Sequence, residues 1–345
     1  MKLIFFFIFF MITFLSISQT GGTNAFPFLN LTYNARAAGL AGEFITAKDS
    51  DINLGIANPS LLNKDMHKTL GLNQAILPAG ISYGMVSYGH HLDNIGTLSG
   101  YIKYINYGKF QRTNVNGTED GKFNPFEMVI GSGIGKQLNP LISVGGNISL
   151  LYSQLETYSS FGAGIDLSGT YYNESKGILV TAMVKNAGIQ FDPYVKKGNR
   201  NPLPANFLLA SSYKLAHAPF RISITAHDLN KWDLTYNDPT LKPTIDVLTG
   251  DTIPVPTNGF FEKFARHLSY QVEGIVSKNI HLRIGFDYQK RKELRLEQRP
   301  GAAGFTFGAG LYFNKFSLDY GFVVYSRAGF NNMLTFTTNL SKWRK

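Results

Sequence analysis

The chain has 345 residues, a net charge of +10 and no cysteine, so an exported fold would have to stand without disulfides. Its 33 Lys and Arg residues form no basic run of the kind that grips nucleic acid, which argues against a nucleic-acid partner. Hydrophobic residues make up 44% of the chain but fall in alternating segments. Downstream of the N-terminal leader no apolar run reaches the ~18 residues that a membrane-crossing helix needs.

At the N-terminus, Met1-Lys2 precede the apolar core Leu3–Ile12, and Ser16-Ile17-Ser18 supply the small residues a signal peptidase reads. Residues 1–18 are therefore read as a secretory signal peptide cleaved before Gln19. The alternative, one uncleaved helix, fits poorly with the polar run Ser16, Ser18, Gln19 and Thr20.

Residues 19–67 form the next unit. The stretch Phe26–Leu62 is rich in Ala, Gly and Asn and lacks the alternation that follows it. Small residues at Ala37, Ala38, Gly39, Ala41 and Gly42 let backbone pack closely against other backbone. The expectation is a hatch, or plug, held inside a barrel made by residues 68–345. An arm lying outside that barrel is the alternative.

From residue 68 onward the sequence reads as β-hairpins. In Phe316–Phe322 the residues Phe316, Leu318, Tyr320 and Phe322 alternate with Ser317, Asp319 and Gly321. Ile280–Gln289 and Phe220–His227 repeat the pattern, which is the period-2 signature of a strand with two unlike faces. Fourteen such segments are expected, at 68–77, 80–91, 95–107, 125–138, 141–153, 160–172, 177–189, 205–215, 219–229, 265–277, 279–289, 302–313, 315–325 and 330–340. Most are long enough to cross a bilayer at a tilt, which takes about 9–11 residues. The 27 Phe and 18 Tyr suit aromatic girdles at the membrane surface. Placing Arg283 against mid-membrane lipid would cost about 2–4 kcal/mol, so the charged face points inward.

The connections alternate in length. Short turns fall at one end and the long loops 108–124, 190–204, 230–264 and 290–301 at the other, as periplasmic turns and outer loops do. An even strand count then returns the C-terminus to the periplasmic side, where the hatch is also expected to begin. The fold class is all-β: a transmembrane antiparallel barrel of about fourteen strands with an N-terminal hatch.

Candidate chemistry is sparse. His90-His91 project to opposite faces of a strand, which does not suit one metal, and His217 and His227 are expected to make structural hydrogen bonds. The inward charges Arg221, Glu273, Arg283, Asp287 and Asp319 are read as a lumen network satisfied by cross-strand pairing or water. No phosphate loop, nucleophile elbow or metalloprotease motif occurs; Gly131, Gly133 and Gly135 alternate along a strand and precede no helix. No catalytic residue, cofactor or metal is expected. In the longest loop, Trp232, Tyr236, Phe260 and Phe261 stand among prolines that stiffen the segment and so lower the cost of ordering it against a partner. The same aromatics folding back onto the barrel mouth is the alternative.

Two stretches carry a family resemblance. NARAAGLAG (Asn34–Gly42) with Asn58-Pro59-Ser60 resembles the hatch of fatty-acid-transporter-type outer-membrane barrels, where the latter site is usually Asn-Pro-Ala. It singles out Asn34, Arg36, Gly39, Gly42, Asn58 and Pro59. HAPFRISITAHDLNKWDLTYNDP (His217–Pro239) and TGGTNAFPFLNL near the start resemble the PorV/PorQ family of type IX secretion system outer-membrane proteins of Bacteroidetes, PorQ-type members above all. The resemblance implies an outer-membrane location and a non-enzymatic role in the attachment complex for exported cargo. It implies as partners a PorZ-like surface protein, PorU- and PorV-type components, and outer-membrane lipid or lipopolysaccharide. The competing reading is an outer-membrane transporter of hydrophobic molecules.

Overall fold

The computed structural model describes residues 24–77, 80–196, 198–235, 243–245, 252–253, 258–295, 301–326 and 329–343. The expected signal peptide, residues 1–18, lies outside them.

Fourteen strands close into one antiparallel barrel. They are β1 Thr69–Ile76, β2 Ser82–Leu92, β3 Gly96–Asn106, β4 Phe126–Gln137, β5 Ile142–Leu155, β6 Tyr158–Asn173 and β7 Ile178–Asp192. The second half comprises β8 Asn206–Lys214, β9 Phe220–Ala226, β10 Leu268–Ile275, β11 Ile280–Asp287, β12 Phe305–Tyr312, β13 Phe316–Ser326 and β14 Gly329–Asn339. Each strand pairs with its sequence neighbour, and β1 against β14 closes the ring, with Thr69 opposite Asn339. Closure removes every open edge, the one way a sheet satisfies its backbone polar groups within lipid. Among the described residues no helix is long and apolar enough to cross a membrane. The membrane is crossed by strands.

Alternation sets the two faces. On β11, Leu282 and Ile284 are each 52% exposed on the outer wall, whereas Arg283 is 2% exposed and points inward. Ile222 and Ile224 of β9 face outward while Ser223 and Thr225 are buried inside.

The segment 24–67 fills the lumen. Four of its five short elements start on a side chain that accepts from a free backbone N–H, the stabilising arrangement at a helix N-terminus; the first, the 3-10 turn Pro27–Asn30, does not. Asn34 caps α1 (Ala35–Ala38), Asp51 caps α2 (Ile52–Ala57), and Asn58 and Asn63 cap the 3-10 turns Pro59–Leu61 and Lys64–Met66. Contacts on opposite sides of the ring show that the segment is inside. Gly39 lies against Gly308 of β12, while Pro59 lies against Gly135 of β4 and Gly145 of β5.

Three features differ from the sequence reading. The hatch does not begin at the periplasmic end. Ala25 bonds Pro202 in an outer loop and Phe26 packs beside Gly162 near the outer end of β6, so the segment runs downward and enters β1 from the periplasmic side. β11 stops at Asp287, short of the expected 289, because the helix α4 (Tyr288–Leu294) takes over there. β9 stops at Ala226, short of the expected 229, where the chain turns, and a second rim helix, α3 (Phe260–Ala265), leads into β10. Outer loops also carry two small hairpins, Phe110–Thr113 with Glu119–Phe123 and Thr244–Ile245 with Thr252–Ile253.

Candidate functional site

The register of the wall builds a row of inward charges. Arg221 of β9 sits opposite Glu273 of β10, and Glu273 sits opposite Arg283 of β11. Directly opposite residues on one face of a sheet touch, so three long side chains converge. The next members of the row, Gly308 and Gly321, have no side chain, and that gap admits α1 of the hatch. Arg36 projects from α1 onto Glu273 through two parallel bonds, Nε to Oε1 and Nη2 to Oε2, both 2.9 Å. Such a fork matches a carboxylate in geometry as well as charge.

Glu273, 1% exposed, also accepts from Arg283 at 3.0 Å and from Arg221 at 2.6 Å. Arg36 reaches Asp49 at 2.7 Å and Asp51 at 3.5 Å, and Arg283 reaches Asp319 at 2.6 Å and the Tyr312 hydroxyl at 2.6 Å. Burial pushes the Asp51 carboxyl up to about 6 against the pull of Arg36. The structure thus brings together Arg221, Glu273, Arg283 and Asp319 and adds the hatch residues Arg36, Asp49 and Asp51. The expectation that Asp287 belongs to this network is corrected. It lies four residues beyond Arg283, about 13 Å along the strand. There it caps α4 through the Lys290 N–H and pairs with the Lys290 ammonium at 3.0 Å.

The other singled-out hatch residues hold the hatch to itself and to the wall. Asn34 Oδ1 accepts from the Ala37 N–H at 2.7 Å, and a Cβ on Gly39 would fall 2.9 Å from the Gly308 Cα. Gly42 has φ +94°, a left-handed conformation that favours glycine. Asn58 donates to the Ile45 carbonyl at 2.9 Å and the Thr181 hydroxyl at 3.3 Å. Ser60, where the resembled motif has Ala, adds bonds of its own, to Asn58 at 2.7 Å and Thr170 at 2.6 Å. Pro59 offers its carbonyl to the glycine gap of β4 and β5.

Voids remain above and below this plug. One of about 630 Å³ on the periplasmic side is lined by Arg36, Asp51, Tyr312 and Asp319; one of about 370 Å³ on the outer side is lined by His227, Asp287, Lys290 and Asn331. A third, of about 40 Å³, lies against the hatch at Tyr33 and Lys103. Sequence reasoning missed how Arg36 is used. The signal available for the contact was the set of glycines on inward strand positions, which mark close approach of another backbone.

At the outer rim the loop aromatics gather. Trp232 packs on Phe260 at 5.1 Å and over His267 at 5.9 Å between ring centres. At 100° per residue, Phe260, Phe261 and Phe264 share one side of α3 while Glu262, Lys263 and Arg266 share the other. Glu262 binds Lys292 and Tyr288 of α4, which turns the polar side toward α4 and leaves the aromatic side open. Phe261 is 84% exposed and Phe260 63%. Phe264, unforeseen from sequence, belongs to the same patch. Tyr236 lies outside the described residues. Burial would raise the Asp233 carboxyl, but Lys263 at 2.6 Å and the Thr235 N–H and hydroxyl hold it down at about 2.

No protein-family model and no curated protein matches the chain. Solved structures do. The toluene transporter TbuX of Ralstonia pickettii covers 90% of this chain and 99% of its own at 11% identity, TM-score 0.52. A mutant of the monoaromatic hydrocarbon channel TodX covers 89% and 99% at 13% identity, TM-score 0.54. The monoaromatic hydrocarbon channel CymD covers 92% and 99% at 13% identity, TM-score 0.51. At these identities the likeness is one of fold, that of an outer-membrane β-barrel.

Proposed function

We propose that this outer-membrane barrel is closed by its own hatch and serves at its outer face as the membrane anchor for a surface protein in the type IX attachment complex. The partner envisaged is PorZ-like, alongside PorU- and PorV-type components and the surface lipid. The observation that carries the reading is the open aromatic side of α3 with Trp232 at the outer rim. Exposed Trp and Phe on a braced support are frequent anchors of protein interfaces. The stretch His217–Pro239, which carries the resemblance, contributes Trp232 to this patch. The hatch, gripped by buried ion pairs, suits a barrel that holds rather than conducts.

Transport of hydrophobic molecules is the second reading, and the likeness to TbuX, TodX and CymD supports it better than it supports anchoring. Against a greasy path stand the inward charges Arg221, Arg283 and Asp319.

One experiment separates the two. The double variant Trp232→Ala/Phe260→Ala is compared with the parent for retained surface protein and for toluene entry into cells. Under the anchor reading the partner passes into the medium while toluene entry is unchanged. Each anchor is worth about 2 kcal/mol, and about 1.4 is already tenfold in affinity. A retained partner, together with toluene entry that depends on the chain, would replace anchoring with transport.

A further inference from the structure

We propose that the periplasmic rim of the barrel is a collar that binds anionic phospholipid headgroups of the inner leaflet. The inference goes beyond both readings of the barrel, which concern its outer face and its lumen. Six exposed lysines mark this end: Lys136, Lys176, Lys214, Lys278, Lys315 and Lys342. They stand at the periplasmic ends of β4, β6, β8, β10, β12 and β14 or in the turns that follow. Every second strand over this arc thus brings one lysine to the rim. Neighbours are two ladder spacings apart, about 10 Å, so each ammonium is placed to meet its own headgroup.

The protein does not neutralise this charge itself. Acids on the same rim are fewer, Asp65, Asp93 and Glu174, and among the described residues none of the six ammoniums pairs with a carboxylate. The outer end differs: there Arg112 pairs with Glu156, Lys263 with Asp233 and Lys292 with Glu262. What the periplasmic collar lacks is an anion.

Apolar side chains in the same turns decide which anion it meets. Leu138, Val276, Phe313 and Trp343 are each more than half exposed, although they lie beyond the strand ends rather than on the wall. Against water these side chains would stay uncovered; sunk into the boundary between acyl chains and headgroups they are buried. Trp343 is braced in this place. Its indole N–H donates to the Thr338 hydroxyl at 2.8 Å, and the Lys315 ammonium lies 4.8 Å from the centre of its ring. An apolar anchor beside a lysine is the arrangement in which the stem lies along lipid and the ammonium reaches the membrane surface. At that height the available counter-charge is a lipid phosphate, and clustered lysines beside an anionic leaflet are drawn to it.

The test places the full chain in phosphatidylcholine nanodiscs, with folding checked by heat-modifiable migration. Spin-labelled phosphatidylglycerol and spin-labelled phosphatidylcholine report which lipid is held at the protein surface. At low salt phosphatidylglycerol should be preferred at least threefold. The preference should fall close to one in about 1 M NaCl, where the screening length is about 3 Å. Lys→Gln at all six positions should abolish it as well. Should that variant not fold, Lys278→Gln/Lys315→Gln/Lys342→Gln takes its place and should at least halve the preference, while the salt series needs no variant. Equal association of the two lipids with the unmodified protein overturns the collar. A preference that survives in the folded variant overturns it too, since the lipid would then be held elsewhere on the barrel. A preference removed by millimolar inorganic phosphate at constant ionic strength would assign the lysines to free phosphate. Poly-L-glutamate that binds the unmodified protein in nanodiscs, with no lipid preference, would make the rim a dock for an acidic protein instead.

Discussion

Replacing Glu273 with Gln is the sharpest perturbation of the hatch. The amide keeps the shape of the side chain but removes the charge that Arg36, Arg221 and Arg283 surround at 2.6–3.0 Å. With Glu273 1% exposed, those guanidiniums have little water to turn to. Breaking a buried pair by removing one partner costs about 3–5 kcal/mol, because the remaining charge stays buried. Part of that loss falls on the wall, through Arg221 and Arg283, and part on the hatch, through Arg36. Were the whole of it to fall on hatch docking, the undocked fraction would rise roughly a hundred- to several-thousand-fold, at about 1.4 kcal/mol per factor of ten. The chain has no cysteine, so a single Ala37→Cys at a 2% exposed hatch position reports undocking through its rate of labelling by a maleimide. Labelling should accelerate at least tenfold in Glu273→Gln. Arg36→Met combined with Glu273→Gln should cost less than the two singles added, with a coupling of about 0.5–3 kcal/mol. A labelling rate in Glu273→Gln within threefold of the parent would refute the reasoning, since the ion pair would then contribute nothing to docking.

Two further outcomes are expected. Gly39→Leu should lower the temperature of heat-modified migration, because even its Cβ would stand 2.9 Å from the Gly308 backbone; overpacking of this kind costs about 1–3 kcal/mol, and unchanged stability would place Gly39 away from the wall. Asp233, held down at about 2, stabilises the Trp232 turn above its ordinary value near 3.8 and loses that contribution as pH falls through about 2. Trp232 fluorescence in a Trp343→Phe background should follow this midpoint, and a midpoint near 4 would mean that Lys263 and Thr235 do not hold the carboxylate.

The wall was legible because its information is local. A strand with one face in lipid and one in a polar lumen must alternate at period 2, so Leu282, Arg283 and Ile284 state their own directions within three residues. Strand number followed from the same rule, and loop lengths told one end from the other. The network charges Arg221, Glu273, Arg283 and Asp319 could be placed on the inner face, but alternation assigns a face and not a height. That is why Asp287 was grouped with them although it sits at the rim on Lys290.

What only the tertiary structure decided is where the hatch goes and what it grips. Small residues at Ala37, Ala38 and Gly39 said that backbone would pack on backbone, without saying which. The answer depends on the register of β10 to β13, which sets Glu273, Arg283, Gly308 and Gly321 side by side and leaves an opening beside the charge that Arg36 needs. The path of the hatch from the outer end to the periplasmic end was likewise decided by contacts such as Phe26 on Gly162. Each pairing joins residues far apart in the chain, and only closure of the ring, β14 against β1, brings such faces around a common space. Periodicity is a property of neighbours along the chain, whereas the site is a property of neighbours across the barrel.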